Sequence, residues 1–490
     1  MPKILVANTY FYPLDKKQWR FKKPYPPLGT LGICALLESK GYTVRFFDNS
    51  LNDKPEAIEG VLGAFQPDYF LVYDDGFNYL TKMCLSVMQD AAFAMANLAH
   101  EQGARCIINS SDSTDQFAKY LDHNFDYVVL GEGDNTVLSL LMALADKKEP
   151  SEVRGIAYRN TGGEIKRTGA ASVLKDLNSL PIAKWSLVDM AAYRKIWLDH
   201  HGYFSLNVAT TRGCPYKCNW CAKPIYGNNY NMRSPEHVLT EIEMLVREFQ
   251  VDHFWFCDDI FGLKASWVSE FRKMVKSKGL RFKYMIQSRV DLLLKPAYLD
   301  DLAESGLETV WLGAESGSQH ILDAMDKGIQ IQQIFEVVPL VKSKGIRVAL
   351  FIQFGYLGES KDDIQKTLDM ILQLMPDEIG ISVSYPLPGT KFYEKVKNRL
   401  ERKTNWSDSD DLDPLYATPF SAEFYKKMHR YVHARFRTKM HLQKIQKASW
   451  AVLKKPLPLA KDMLSLAYNG SRVILLRGEI EKTIYGDGAV

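Results

Sequence analysis

The chain has 490 residues, which is too long for one hydrophobic core, and a prior of roughly 150 residues per domain predicts about three domains. With 46% hydrophobic and 24% charged residues, its composition is that of a globular protein, which excludes a chain dominated by disorder. The net charge of +4 gives no global reason to expect nucleic acid as a partner.

The sequence also indicates the cellular compartment, through its N-terminus, its apolar stretches and its cysteines. The first residues, "MPKILVANTYFYPL", are followed by basic residues rather than by a small-residue cleavage site, so they predict a first strand and not a signal peptide. No apolar stretch approaches the roughly 18 residues of a membrane span. Seven cysteines, scattered apart from one tight group, favour a reducing environment over a disulfide framework. We therefore expect a cytoplasmic protein without a membrane span.

Residues 1–148 predict a parallel sheet with crossover helices, because short apolar runs alternate with amphipathic stretches. The runs are "KILVAN", "YTVRFF", "DYFLVY", "ARCIIN" and "DYVVLG". Sheets of this kind bind ligands beyond the carboxyl ends of their strands, where the glycine-bearing loops "YPPLGTLG" (Tyr25–Gly32) and "GEGDN" (Gly131–Asn135) would lie. Both loops also fit a second interpretation, in which they are ordinary turns.

Three further segments follow. Residues 149–200 predict a hairpin around "NTGG" and then a linker. Residues 201–398 return to the alternation and predict a second α/β domain with six strands, in which Ser234 and Pro235 begin a helix as N-cap and N1. Residues 399–490 predict a helical region, basic and aromatic at 424–455. After Pro456 we predict no element, since Pro456 and Pro458 would break a helix that continued through them.

A loop early in the second α/β domain, "TTRGCPYKCNWCAKP", contains three closely spaced cysteines. Cys214, Cys218 and Cys221 can point at one centre, and soft thiolate ligands select zinc or an iron–sulfur cluster. A structural zinc site needs a fourth protein ligand, for which His200, His201 and His237 are the candidates. A cubane cluster held by three cysteines leaves one iron open to a small molecule.

The pattern "CPYKCNWC" resembles the cluster loop of the radical S-adenosylmethionine (SAM) superfamily. The later stretches "WFCDDIFG", "IQSRVD", "LGAESGSQHILDAMDKG", "FIQFGYLGES" and "SYPLPGTKFYE" follow in that superfamily's order. The first 148 residues resemble the cobalamin-binding-type domain that precedes the radical SAM barrel in one large subfamily. The resemblance covers about residues 1–400 and implies a Rossmann-like domain, a partial (β/α)6 barrel and a helical tail, as in an α/β protein.

The resemblance implies a [4Fe–4S] cluster on the three cysteines, with SAM chelated to the fourth iron and cleaved to methionine and a 5′-deoxyadenosyl radical. It assigns SAM contacts to Trp220, Asp258, Asp259, Arg289, Glu315, Ser316 and Gly355, and cobalamin contacts to Pro27, Leu28, Gly29, Gly131, Glu132 and Gly133. Each polar assignment has a structural alternative. The acidic pair and Glu315 could cap helices, Arg289 could serve a surface ion pair, and Cys257 fits a small core residue.

The first domain departs from the subfamily in one place. "INSSDSTDQ" stands where relatives often carry a glycine pair, and bulkier residues there would obstruct the close approach of a corrin. The D-x-H-x-x-G motif is also absent.

Two enzyme classes therefore remain. The first is a cobalamin-dependent methyltransferase acting on an unreactive carbon of a small molecule. The second is a cyclase or other rearranging enzyme resembling the anaerobic porphyrin-ring cyclases. A tRNA methylthiotransferase is disfavoured, because Cys34, Cys84 and Cys106 fall within predicted helices or strands and could not build a second cluster. A zinc-binding module without activity is the remaining alternative.

The resemblance implies an external electron donor such as a flavodoxin or a ferredoxin. We expect a small-molecule substrate and no nucleic acid. The basic tail fits a solvated helical face, or a lid that receives an anionic substrate.

Overall fold

The computed structural model describes residues 2–78, 85–446 and 456–486. Two large sheets organise the chain, as the alternating pattern predicts. The strands of the first sheet are β1 (Lys3–Ala7), β2 (Thr43–Phe47), β3 (Tyr69–Tyr73), β4 (Arg105–Asn109), β5 (Tyr127–Val129), β6 (Ile156–Arg159) and β7 (Ile165–Arg167). The helices between them are α1 (Lys16–Phe21), α2 (Leu28–Ser39), α3 (Glu59–Phe65), α4 (Ser86–Glu101), α5 (Ser111–Asp115), α6 (Phe117–Leu121) and α7 (Asp134–Ala145).

The first sheet has the order β2-β1-β3-β4-β5-β6-β7. Strands β1 to β5 are parallel, whereas β6 pairs antiparallel with β5 and β7 antiparallel with β6. The predicted hairpin is therefore confirmed, and it extends the sheet. Apolar residues on both faces of the parallel strands are buried, one face against α3 and α4 and the other against α2 and α7. The order 2-1-3-4-5 places the topological switch point, where such sheets take ligands, between β1 and β3.

The second sheet is a partial (β/α)6 barrel of six parallel strands, which pair in sequence order. They are β8 (Ser205–Val208), β11 (His253–Phe256), β12 (Lys283–Ser288), β13 (Leu307–Glu315), β14 (Arg347–Phe354) and β15 (Glu378–Val383), and β9 (Thr211–Arg212) and β10 (Asn231–Met232) form a small antiparallel pair. The helices are α8 (Met190–His201), α9 (Pro235–Phe249), α10 (Ala265–Ser277), α11 (Val290–Leu293), α12 (Tyr298–Glu304), α13 (Gln319–Ala324), α14 (Ile331–Ser343), α15 (Lys361–Leu374) and α16 (Lys391–Val396).

Local sequence signals decide where several helices begin. Ser234 caps α9 by accepting a hydrogen bond from the backbone N–H of His237, and Pro235 occupies the first turn, as predicted. The acidic pair and Glu315 do not cap helices, since α10 follows Lys264 and α13 follows Ser318.

Two long helices complete the described chain, α17 (Ala422–Gln446) and α18 (Pro456–Gly486). The segment after Pro456, for which the sequence predicted no element, is thus helical, because its prolines stand in the first turn, where their missing N–H groups cost nothing. Residues of both helices join the barrel's apolar core. Among the described residues, no helix is both long and apolar enough to cross a membrane.

Candidate active site

The predicted SAM-binding residues lie at one edge of the barrel. Asp258 and Asp259 follow β11, Arg289 follows β12, Glu315 ends β13, and Gly355 follows β14. Because these strands are parallel neighbours, their carboxyl ends meet, and the loop with the three cysteines leaves the same edge after β8. We call residues 213–224 the cysteine loop. The structure therefore brings the predicted site residues of the barrel together.

Asp258 fixes the chain just before the cysteine loop. Its Oδ1 accepts hydrogen bonds from the backbone N–H groups of Thr210 (2.7 Å) and Thr211 (2.8 Å), and its Oδ2 accepts one from the Thr210 hydroxyl (2.6 Å). Burial raises the pKa of the Asp258 carboxyl to about 6, although these hydrogen bonds oppose the rise. Both oxygens are thus engaged inside the protein.

Asn219 anchors the middle of the cysteine loop. Its backbone N–H donates to the carbonyl of Met325 (3.0 Å), and its side-chain amide donates to the carbonyl of Ala324 (2.6 Å). Its side-chain oxygen accepts from the Tyr356 hydroxyl, and its own carbonyl accepts from the N–H of Phe392 (2.9 Å). One buried asparagine therefore ties the loop to the segments after α13, β14 and β15. No local pattern in the sequence marks Asn219, because its partners are distant along the chain.

The three cysteines stand together with Asp259 at the mouth of the barrel. Cys214 and Cys218 are half-buried and Cys221 is exposed. Burial raises the pKa of the half-buried Cys214 thiol, and the Asp259 carboxylate adds to the rise; the same carboxylate also acts on the pKa of Cys221. This coupling places the Asp259 carboxylate near the thiols, which makes Asp259 the better candidate of the acidic pair to face the amino group of SAM.

The donor set of the cysteine loop is three thiols, the soft ligands that zinc and iron–sulfur clusters share. In a cubane held by three cysteines each thiolate binds a different iron, and one iron stays open to a small molecule. Two candidate fourth ligands are engaged elsewhere, since His237 Nδ1 accepts from Arg233 and the His201 ring contacts the carbonyls of Phe21 and Lys22.

Glu315 forms a buried ion pair that the sequence did not predict. Its Oε1 lies 2.6 Å from Lys327 Nζ, and both side chains are nearly excluded from solvent. The Lys327 ammonium also lies 5.3 Å from the ring centroid of Trp220, the residue before Cys221. Glu315 has a left-handed backbone (φ +60°) at an irregularity of the β13–β14 pairing. A non-glycine residue in that conformation is uncommon and tends to occur at functional sites.

Arg289 connects the cysteine loop with the turn after α13. Its guanidinium lies 3.8 Å from the ring centroid of Tyr216 and donates to the carbonyls of Lys327 (3.0 Å) and Gly328 (3.3 Å). Its Nε lies 2.9 Å from Asp291 Oδ1. An ion pair is therefore formed, but not the surface pair of the alternative, because Arg289 is buried and Asp291 half-buried. Contact between Arg289 and the SAM carboxylate stays a prediction.

The remaining predicted SAM contacts are packed into the turns after β13 and β14. Ser316 Oγ lies 3.1 Å from Thr367 Oγ1, and it accepts a hydrogen bond from the N–H of Ser318. The N–H of Gly355 donates to Glu359 (2.7 Å), a buried carboxyl whose pKa burial raises to about 8. A Cβ at Gly355 would lie 3.0 Å from Val383 and 3.2 Å from Tyr425, so glycine allows this close approach.

The "GEGDN" loop of the first sheet contacts the chain beside the cysteine loop. Arg212, two residues before Cys214, places Nη1 2.6 Å from Glu132 Oε1 and 2.7 Å from Asp134 Oδ2. All three side chains are buried. The interpretation of this loop as an ordinary turn is therefore incomplete, since its carboxylates bind a residue of the barrel.

The glycines predicted to approach cobalamin approach protein atoms in the structure. The N–H of Gly29 donates to Asp75 (3.1 Å), and a Cβ on Gly133 would lie 2.7 Å from both Asn109 Oδ1 and Tyr73 Cε2. Gly131 has φ +72°, and a Cβ there would lie 3.7 Å from the carbonyl oxygens of Ile225 and of Pro224, the last residue of the cysteine loop. Pro27 and Leu28 are buried at the start of α2.

Two clefts flank the carboxyl edge of the first sheet. One is narrow, with no room for a water molecule, and is lined by Tyr73, Asp74, Gly76, Asn109, Ser110, Ser111, Ile225 and Tyr226. The other, with about 60 Å³ of space for water, lies between the start of α2, the linker and the start of α9. In place of the glycine pair, Ser110 caps the short helix α5, and Asp112 accepts hydrogen bonds from Gln89, Gln116, Tyr120 and Asn405.

The cysteines outside the loop behave as core residues. Cys34 is buried in α2 and Cys106 in β4, in agreement with the argument against a second cluster, while Cys84 lies outside the described residues. Cys257 is also buried, as predicted, and donates to the carbonyl of Val208.

Comparison with known proteins agrees with this geometry. Residues 208–371 match the family model of the radical SAM superfamily. A protein of Pyrococcus horikoshii described as an uncharacterized methyltransferase is 25% identical over 419 residues, which cover 84% of this chain and 87% of that protein. The anaerobic magnesium-protoporphyrin IX monomethyl ester cyclase of Cereibacter sphaeroides is 25% identical over 395 residues, which cover 77% of this chain but only 61% of the cyclase.

The fold has a solved counterpart. The structure of the cobalamin-dependent SAM radical enzyme OxsB with aqua-cobalamin bound superposes with a TM-score of 0.73 at 18% identity, covering 97% of this chain and 72% of that chain. This likeness confirms the predicted sequence of Rossmann-like sheet, partial barrel and helical tail. The match over residues 208–371 confirms the radical SAM resemblance and, with it, a [4Fe–4S] cluster and SAM as cofactors.

Proposed function

We propose that this chain, which carries a radical SAM domain, transfers a methyl group from cobalamin to an unreactive carbon of a small molecule. Its similarity to proteins named as methyltransferases and as porphyrin cyclases makes it a methyltransferase-like radical SAM enzyme. The observation that supports the enzyme class best is the cysteine loop, with three thiols and a carboxylate at the mouth of a barrel.

Different residues of the barrel would bind the cluster and SAM. The three cysteines would hold a [4Fe–4S] cluster, which when bound supplies the electron for reductive cleavage of SAM. Asp259 would receive the ammonium of SAM, as a charge-assisted partner. Arg289 and Lys327, the latter held by Glu315 beside Trp220, would present cations for the SAM carboxylate. The protein would thus offer a partner of opposite charge to each of the two charged groups on the methionine α-carbon of SAM.

The topology of the first sheet and its polar edge favour the binding of cobalamin there. A corrin carries amide side arms, and the polar residues Asn109, Ser110 and Ser111 line the narrow cleft at this edge. Because α5 and the hydrogen bonds of Asp112 fill the space behind this cleft, we place the corrin over the edge rather than within the sheet. OxsB, which shares the fold, was solved with aqua-cobalamin.

Corrinoid retention tests this proposal. The purified protein, reconstituted anaerobically with iron and sulfide, is incubated with hydroxocobalamin, desalted and measured by absorption. We expect retention near one corrinoid per chain, and a loss of retention in Ser111→Leu, which fills the cleft. Ser343→Leu, an exposed serine on α14, is the matched control. A wild-type protein that retains iron and cleaves SAM but binds no corrinoid would reject the methyltransferase.

A cyclase or another rearranging enzyme is the second candidate. It is favoured by the similarity to three porphyrin cyclases, one of which, from Synechocystis, is aligned over 96% of this chain at 25% identity. Absence of the corrinoid in the same experiment would leave the cyclase or rearranging enzyme, because methyl transfer from cobalamin requires the corrinoid. An electron donor such as a flavodoxin or a ferredoxin would serve both reactions.

A further inference from the structure

We propose that Arg212, clamped by the "GEGDN" loop of the first sheet, is a positioning residue that sets the geometry of the cysteine loop for SAM. We call Arg212, Glu132 and Asp134 the Arg212 clamp. The proposal rests on the proposed radical SAM function and adds a role for the first sheet that is independent of any ligand bound there.

The clamp is a buried ionic contact of one guanidinium with two carboxylates. The Arg212 fork reaches Glu132 through Nη1 (2.6 Å) and Asp134 through Nη1 (2.7 Å) and Nη2 (3.2 Å). The carboxylates are themselves fixed, since Glu132 Oε2 accepts from the N–H of Leu174 (2.8 Å) and Asp134 Oδ2 accepts from the Tyr73 hydroxyl (3.2 Å). Buried charges contribute little net stability compared with apolar packing, so the contact is better suited to fixing a position.

The chain between the clamp and the first cysteine is stiff. Only Gly213 separates Arg212 from Cys214, and it adopts a left-handed backbone with φ +79°. A Cβ at this position would lie 2.4 Å from the carbonyl oxygen of Asn229. Just before Arg212, the backbone of Thr210 and Thr211 is held by Asp258. A displacement of the Arg212 side chain is therefore transmitted to Cys214 rather than absorbed by the backbone.

The clamp completes a set of anchors for the cysteine loop. Asp258 and Asn219 hold the loop to the barrel itself. Arg212 is different, because its partners belong to the first sheet, about 80 residues earlier in the chain. The guanidinium also lies 5.2 Å from the ring centroid of Tyr226, which follows the cysteine loop. Arg212 therefore meets the chain on both sides of the loop, since it directly precedes Gly213 and contacts Tyr226, two residues after Pro224.

The test compares four variants of the full chain. Arg212→Gln removes the charge, Arg212→Lys keeps the charge but loses the fork, and Glu132→Gln weakens the partner. Arg347→Gln is the matched control, since Arg347 forms an exposed pair with Glu378 at the start of β14. Circular dichroism and gel filtration verify the fold. If Arg212→Gln fails to fold, Glu132→Gln decides the outcome.

Two measurements are made. Hydrogen exchange of the metal-free protein reports the amides of residues 213–221, and we expect exchange at least about tenfold faster in Arg212→Gln, as for a loop that opens locally. In the reconstituted protein, electron paramagnetic resonance of the reduced cluster is recorded with and without SAM, and 5′-deoxyadenosine is counted. We expect the SAM-induced spectral change to be lost and SAM cleavage to fall about 100-fold, the cost of a displacement near 1 Å.

The outcomes are separable. Wild-type exchange, spectra and cleavage in both Arg212→Gln and Glu132→Gln would overturn the proposal, and the clamp would then only join the two sheets. Partial recovery in Arg212→Lys would support a geometric role, as would loss of iron from a folded Arg212→Gln whose cysteines are intact. If the wild-type protein bound no cluster and cleaved no SAM, the proposed function would be rejected. The hydrogen exchange of the metal-free protein would still test whether the Arg212 clamp holds the cysteine loop.

Discussion

Replacement of Asp258 by alanine is expected to release the cysteine loop without unfolding the barrel. The substitution leaves the N–H groups of Thr210 and Thr211 and the Thr210 hydroxyl without their acceptor. One unsatisfied buried donor costs about 1–3 kcal/mol, so three cost roughly 3–9 kcal/mol if the loop keeps its place. Because the loop stands at the mouth of the barrel, opening it to water costs less, and we expect the residues before Cys214 to detach.

Asp258→Asn is the matched variant. Its side-chain oxygen can still accept from both backbone N–H groups, and its amide can donate to the Thr210 hydroxyl. The loss of charge weakens these hydrogen bonds by about 1 kcal/mol. Part of this loss is offset, because a neutral amide does not carry the cost of burying a charge that raises the Asp258 pKa to about 6. We therefore expect asparagine to preserve the loop.

The assay counts iron and sulfide per chain after anaerobic reconstitution, with urea unfolding of the metal-free protein as the stability control. Asp258→Ala should retain less than a tenth of the wild-type iron, which is the effect of more than about 1.4 kcal/mol on assembly. Asp258→Asn should retain nearly all of it. A full cluster in the alanine variant, or equal losses in both variants, would refute the anchoring role.

Three further predictions concern the same edge and the barrel core. Changing any one of the three cysteines to alanine should abolish the cluster and SAM cleavage while far-UV circular dichroism stays at the wild-type level; a variant with a complete cluster would contradict the ligand assignment. Asp259→Asn should weaken SAM binding by about tenfold with the iron content unchanged, since a hydrogen bond to a charged group contributes about 1.5–3 kcal/mol; unchanged affinity would remove Asp259 from the site. His253 is buried against Ser205, and burial lowers its pKa to about 4, so its contribution to stability is full above pH 6.5 and is lost as the pH falls toward 4. In His253→Gln, the unfolding free energy measured by urea titration should therefore fall less between pH 6.5 and pH 4, by up to about 3 kcal/mol. An unaltered pH profile would exclude His253 as a cause of the acid destabilisation.

The sequence determined the elements of this protein because their signals are local. Apolar runs that are buried on both faces identify the parallel strands, and the Ser234–Pro235 pair identifies the start of α9. The spacing of Cys214, Cys218 and Cys221 likewise identifies the cysteine loop, since three soft ligands within eight residues are rarely accidental. Such signals need only the neighbouring residues.

The tertiary structure decided what holds that loop, because the partners lie far apart along the chain. Asn219 meets Tyr356 at a separation of 137 residues, and Arg212 meets Glu132 at a separation of 80. No periodicity marks such pairs, and a buried asparagine or arginine looks in the sequence like any polar residue. They meet because parallel strands bring their carboxyl ends to a common edge, which is a property of the topology and not of any one segment.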